Sequence, residues 1–305
     1  MPDRGRRQGS HRPPTSGPGG RTTARSGARA TRASWPTGPV TIPTGTVEIV
    51  PDPDHSSGAT LLVNGVPSSY LDLDDPGVLA FEYMQQMALV VDVLRPGDPL
   101  DVVHLGAAGC ALARALDAVR PGSRQIAVEL DAQLPELVRT WFALPRSPAL
   151  RIRAGDAREQ LSRLPDASAD VVVRDVFAGD TTPSHVTTVE MVRDVARVLR
   201  PGGLYLVNCA DGAALTRARS EAATLADVFP DVAAIAEPSL LRGRGYGNVV
   251  LAASDDAQLL AVAGLARAVR SLPAPARLLR GDELAALVGS APVLRDPPVD
   301  TPAGA

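Results

Sequence analysis

The 305-residue sequence contains no lysine: its cationic side chains are all arginine or histidine. That excludes a lysine Schiff base and a phosphate-loop lysine. Aromatic residues make up only 3% of the chain, so a core must be built mainly from Leu, Val and Ala. The two cysteines, Cys110 and Cys209, lie far apart without metal-type spacing and read as small core residues. No apolar run reaches the roughly 18 residues of a membrane span. The Arg-rich start leads into Pro, Gly and Ser rather than the apolar stretch of a signal peptide. A cytoplasmic protein without membrane association is therefore expected.

What is present is unevenly spread. Eight arginines between Arg4 and Arg32 face a single acid, Asp3, and the remaining body is clearly acidic. An acidic body attracts cationic substrates, although a solvated acidic surface has the same composition. Residues 1–39 are Gly, Pro, Ser, Thr and Arg with almost no large apolar side chain, so a disordered basic tail is expected there. Without interleaved aromatics beyond Trp35, this tail is not expected to bind nucleic acid.

From residue 45 the texture changes. Val47–Val50, Thr60–Val63 and Val66–Leu71 read as short strands, and Asn64-Gly65 between the last two is a strong hairpin signal. A small antiparallel β domain over 45–75 follows. Asp75 as cap and Pro76 at the first position predict a helix running to about Leu94. Strand and helix then alternate over 76–290. Strands are expected at Asp101–Leu105, Gln125–Glu129, Arg151–Ala154, Val171–Asp175 and Leu204–Asn208. Helices are expected at Ala111–Val119, Ala132–Phe142, Ala157–Leu164, Thr187–Leu199 and Ala213–Val228. Strands Val232–Ala236 and Asn248–Ala252 and helices near Asp256–Ser271 and Asp282–Leu287 complete the pattern, and residues 291–305 read as a frayed Pro-rich tail. Such alternation predicts an α/β fold, a Rossmann-like doubly wound parallel sheet covered on both faces.

Ligands of such sheets bind outside the carboxyl ends of the strands. The first of these strands ends in Gly106-Ala107-Ala108-Gly109, small residues that either admit a ligand to the backbone or serve packing. Glu129, about 20 residues past that turn, is placed to accept hydrogen bonds from a ribose diol. Asp131 reads as a helix cap. Asp156 reads as the cap of the next helix. Asp175 follows the apolar run Val171-Val172-Val173 and has few structural reasons to be there. Asp180 lies in the loop beyond, as a turn residue or a second acid. Arg200-Pro201-Gly202-Gly203 is a structural turn that launches the fifth strand.

In this order the landmarks resemble the class I methyltransferase fold. The hairpin at Val63-Asn64-Gly65-Val66 and the run Phe81-Glu82-Tyr83-Met84-Gln85-Gln86-Met87 further resemble the entry to the aminopropyltransferase family, whose type is spermidine synthase. The resemblance covers Val47 to Ala253. It implies Gly106 and Gly109 in a nucleoside loop, Glu129 on the ribose, Asp156 and Ala157 around the adenine, Asp175 as the catalytic aspartate and Tyr83 lining the amine site. It implies decarboxylated S-adenosylmethionine as co-substrate, an amine acceptor and no tightly bound cofactor or metal, with a homodimer compatible. Four departures stand out: the loop lacks the family's acid, Ala178 replaces a second aspartate, Tyr83-Met84-Gln85 replaces a Tyr-His-Glu/Gln-type run, and the Ser68-Ser69 region replaces an amine-side glutamine. Asp180 is the candidate to compensate. S-adenosylmethionine-dependent methyl transfer and a non-catalytic nucleoside-binding role are the alternatives.

Overall fold

The computed structural model describes residues 35–179 and 181–298. Two sheets form the frame. The first is antiparallel, in the order β1 (Val40–Ile42), β2 (Gly45–Pro51), β3 (Gly58–Val63), β4 (Val66–Asp72). Asn64, at φ 52°, and Gly65, at φ 78°, make the expected tight turn between β3 and β4. β1 was not anticipated, because three residues are too few to show a period.

The helix that follows, α1 (Glu82–Leu94), starts six residues later than its sequence signal suggested. Asp75 caps a turn instead: its Oδ1 accepts from the Gly77 amide at 2.8 Å, and chain 75–81 crosses to the second sheet before it coils.

Next come β5 (Asp101–Leu105), α2 (Ala111–Val119), β6 (Arg124–Glu129), α3 (Leu134–Phe142), β7 (Leu150–Ala154), α4 (Ala157–Ser162), β8 (Ala169–Arg174), α5 (Val189–Val198) and β9 (Leu199–Gly212). The chain closes with α6 (Thr216–Ala226), β10 (Asp231–Ala236), α7 (Pro238–Leu241), β11 (Tyr246–Ser254), α8 (Ala263–Arg270), β12 (Arg277–Arg280) and α9 (Asp282–Val288). The eight strands order as β12-β10-β11-β9-β8-β5-β6-β7. Strands β5 to β9 run parallel, β11 is antiparallel to β9, and β10 is antiparallel to β11. Order therefore reverses at β5, whose two neighbours are β6 and β8, and that is where a crevice opens.

Side chains alternate between two cores. Val171 and Val173 of β8 join α1, α2, α3 and the small sheet on one face, and Val172 joins α4, α5 and α6 on the other. Burial on both faces explains why these strands read as unbroken apolar runs.

The first and last described segments are tied to the body of the fold. Residues 1–34 and 299–305 lie outside the described residues, but Trp35 donates its indole N–H to the Trp141 carbonyl at 3.1 Å and packs on the Phe142 ring. Leu294 bridges the Val189 amide and the Thr224 hydroxyl, and Asp296 pairs with Arg158 through both oxygens.

Candidate functional site

A cleft of about 440 Å³ opens at the carboxyl ends of β5, β6, β7, β8 and β9, roofed by the β3–β4 hairpin and the start of α1. Its floor is fixed by one close approach. Gly106 has φ +85°, and a Cβ there would lie 2.1 Å from the Asp175 carbonyl oxygen. Only glycine lets the β5 loop pass so near the end of β8.

Asp175 sits directly after β8. Its Oδ2 accepts the Tyr83 hydroxyl at 2.8 Å and its Oδ1 accepts the Asn208 side-chain amide at 2.9 Å. Burial raises the carboxyl above its ordinary value, against the opposing pull of Asn208, Tyr83 and the neighbouring Arg174. The Tyr83 phenol is pushed well up, by burial and by the Asp175 charge. Beneath the pair, Arg174 points to the opposite face of the sheet and is ion-paired with Glu221 of α6, both buried.

Glu129, at the end of β6, is half-buried. Its Oε2 accepts from the Ala108 amide at 2.8 Å and its Oε1 from the Asp131 amide at 3.1 Å. Each carboxylate oxygen keeps a lone pair toward the cleft. Asp156 caps α4, with Oδ1 accepting from the Arg158 and Glu159 amides and Oδ2 holding the His185 ring at 2.8 Å. Burial works to raise this carboxyl, but the Glu159 amide and His185 prevail and lower it. Ala157 lines the cleft beside it.

The fold thus brings Gly106, Glu129, Asp156, Ala157, Tyr83 and Asp175 into one cleft. Gly109 is elsewhere. It packs on the small sheet, its amide donating to Ser69 Oγ at 3.0 Å, and a Cβ would meet Leu71 at 2.7 Å. Asp180 lies outside the described residues. Asp131 is the structural acid it was read as: its carboxylate holds the Gln133 and Leu134 amides and Thr44. Among the cleft residues that were missed are the polar Asn208, His185, Tyr246 and Asn248. Asn208 could have been found, because it is a polar residue at the end of an apolar parallel strand. The others lie on a short 3-10 turn or an antiparallel strand and carry no such signal. Among the described residues, no three His, Cys, Asp or Glu side chains are grouped to hold a metal ion.

A probable spermidine synthase from Corynebacterium glutamicum is similar at 36% identity and a TM-score of 0.79, over 87% of this chain and 98% of that one. The chain is a divergent member of the spermidine synthase family. A family model described as a methyltransferase domain matches residues 103–207 of this family member. The polyamine aminopropyltransferase of Chromobacterium violaceum is 28% identical over 141 residues, which are 46% of this chain and 53% of that protein. The chain thus matches about half the length of such curated relatives. A spermidine synthase solved with the transition-state analogue AdoDATO shares the fold, with a TM-score of 0.54 at 18% identity over 82% of each chain.

Proposed function

We propose that the protein transfers an aminopropyl group from decarboxylated S-adenosylmethionine to an amine, with Asp175 as general base. One observation carries the reading: a half-buried carboxylate, held by Tyr83 and Asn208 at the switch in strand order, shares its cleft with Glu129.

The donor is a co-substrate whose sulfonium makes the adjacent carbon electrophilic. Asp175 holds the acceptor ammonium and takes its proton; the nitrogen lone pair attacks that carbon. The C–N bond forms, the C–S bond breaks, and its electron pair stays on sulfur as methylthioadenosine leaves. General-base help contributes about 10²–10⁴-fold, and positioning supplies much of the rest. Glu129 receives the ribose hydroxyls, and Asp156 with Ala157 frames the adenine. Gly106 lets the backbone approach the nucleoside, and Gly109 seats the loop on Ser69. Tyr83 lines the amine site and orients Asp175. The AdoDATO complex of the related fold supports this donor class.

Methyl transfer from intact S-adenosylmethionine is the second reading. It is favoured by the methyltransferase-domain match over residues 103–207 and by a loop, Gly106 to Cys110, without an acid. Calorimetric titration with each donor, followed by methylthioadenosine release in the presence of amines, tests both. Tighter binding of the decarboxylated donor together with release supports aminopropyl transfer. Tighter binding of the intact donor without release supports methyl transfer. Binding of neither points to a protein that has lost the chemistry.

A further inference from the structure

We infer that the acceptor is a monoamine with an apolar body rather than a polyamine with a second ammonium. The inference rests on the aminopropyl-transfer reading of the same cleft and names its acceptor class.

The first observation is charge. Among the described residues four carboxylates line the cleft: Glu82, Glu129, Asp156 and Asp175. Both oxygens of Asp156 are taken up, by the head of α4 and by His185. Glu129 is anchored on the loop amides of Ala108 and Asp131. Glu82 is exposed at the mouth and accepts from the Asn248 side chain at 3.2 Å. With Glu129 given to the ribose, Asp175 is the carboxylate left for an ammonium: each of its oxygens accepts one neutral donor, Tyr83 or Asn208, and keeps a lone pair.

The second observation is the rest of the lining. The hairpin tip contributes Val63, Val66 and Pro67, the approach to α1 contributes Phe81, and β11 contributes Tyr246. Phe81 and Tyr83 stack with their ring centroids 6.0 Å apart, so an aromatic surface leads away from the carboxylate. Only six large hydrophobic side chains are exposed among the described residues, and three of them, Val66, Leu130 and Tyr246, rim this one cleft. Exposed apolar surface gathered at one mouth marks a binding surface.

A second ammonium on this wall would shed hydration with only the exposed, solvent-screened Glu82 as counter-charge, which is unfavourable. An alkyl or aryl group gains there by covering Val66, Phe81 and Tyr246. Bond changes are those of the parent reaction: the single amine loses a proton to Asp175, gains the aminopropyl carbon, and sulfur keeps the electron pair.

The experiment measures methylthioadenosine release from decarboxylated S-adenosylmethionine. Putrescine, cadaverine and spermidine are compared with hexylamine and phenethylamine, using the full chain and its Tyr246→Ser and Asp180→Ala variants. The expected result is a kcat/KM at least about tenfold higher for the monoamines than for the diamines. Tyr246→Ser should shrink that ratio severalfold. A wild-type preference for putrescine, or a diamine turnover that Asp180→Ala selectively abolishes, overturns the inference and leaves aminopropyl transfer standing. Release with no amine at all refutes the parent reading, and the acceptor class falls with it.

Discussion

Tyr83 reaches across 92 residues of sequence to donate a hydrogen bond from its hydroxyl to Asp175, so helix α1 and strand β8 hold one carboxylate between them. The bond favours the ionised form of a group that burial pushes the other way. Removing it as Tyr83→Phe should raise the Asp175 pKa further. A base works only when deprotonated, so the acid limb of kcat/KM should move to higher pH. Asp175→Asn should lower turnover by about 10²–10⁴-fold at unchanged methylthioadenosine affinity. A pH–rate series on both variants, with folding followed by circular dichroism, checks this; equal rates for wild type and Asp175→Asn would remove the residue from the reaction.

Glu129→Gln keeps the shape of the side chain and removes its charge. Charge-assisted hydrogen bonds to ribose hydroxyls are worth about 1.5–3 kcal/mol, so nucleoside affinity should drop roughly tenfold or more. Calorimetry with methylthioadenosine reads this directly. Unchanged affinity means the ribose sits elsewhere.

The Arg174–Glu221 pair lies under the site with both side chains buried. Glu221→Ala strands a buried guanidinium and should cost about 3–5 kcal/mol in urea unfolding. The double substitution Arg174→Met with Glu221→Leu should recover most of that loss. Additive losses would show that the two charges are not coupled.

His104 of β5 is 4% exposed, and its Nε2 meets Gln125 Oε1 at 2.9 Å. Gln125 gives its own amide to the Ala113 carbonyl, so the neutral ring is the donor. Burial lowers its pKa to about 4, against the pull of Gln125. The unfolded chain therefore binds more protons between about pH 6.5 and pH 4, and stability must fall as pH falls through that window. The full loss is about 3 kcal/mol. Urea midpoints from pH 7 to 4.5 should slope less steeply in His104→Asn than in wild type.

Trp35 sets the boundary for truncation. Its composition-only neighbours, residues 1–34, should be removable without a change in melting temperature. Removal through Pro39 takes away the indole bond to Trp141 and the contact with Phe142, and should lower the melting temperature by several degrees. Thermal unfolding of the two truncations side by side distinguishes them.

The sequence by itself determined what is local. Asn64-Gly65 fixed a hairpin through positive φ, and Asp131 and Asp156 declared themselves as caps. The apolar run ahead of Asp175 marked a parallel strand and left its first polar residue at the open edge. These signals are readable because turn chemistry and the two-residue period act over a handful of neighbours. The family resemblance at Phe81–Met87 and along the strand ends was legible for the same reason. Tertiary structure alone decided which strand ends meet. Strand order places β9 beside β8, and this turns Asn208 from the end of a strand into a partner of Asp175. Crossovers carry His185 to Asp156 and Asn248 to Glu82, pairs 29 and 166 residues apart. Gly109 reads like its neighbour Gly106, yet a hairpin from 40 residues earlier packs on it and takes it out of the cleft. Such outcomes depend on sheet order and on which face each side chain takes, and these are set by burial of the whole core at once rather than by any short stretch of sequence.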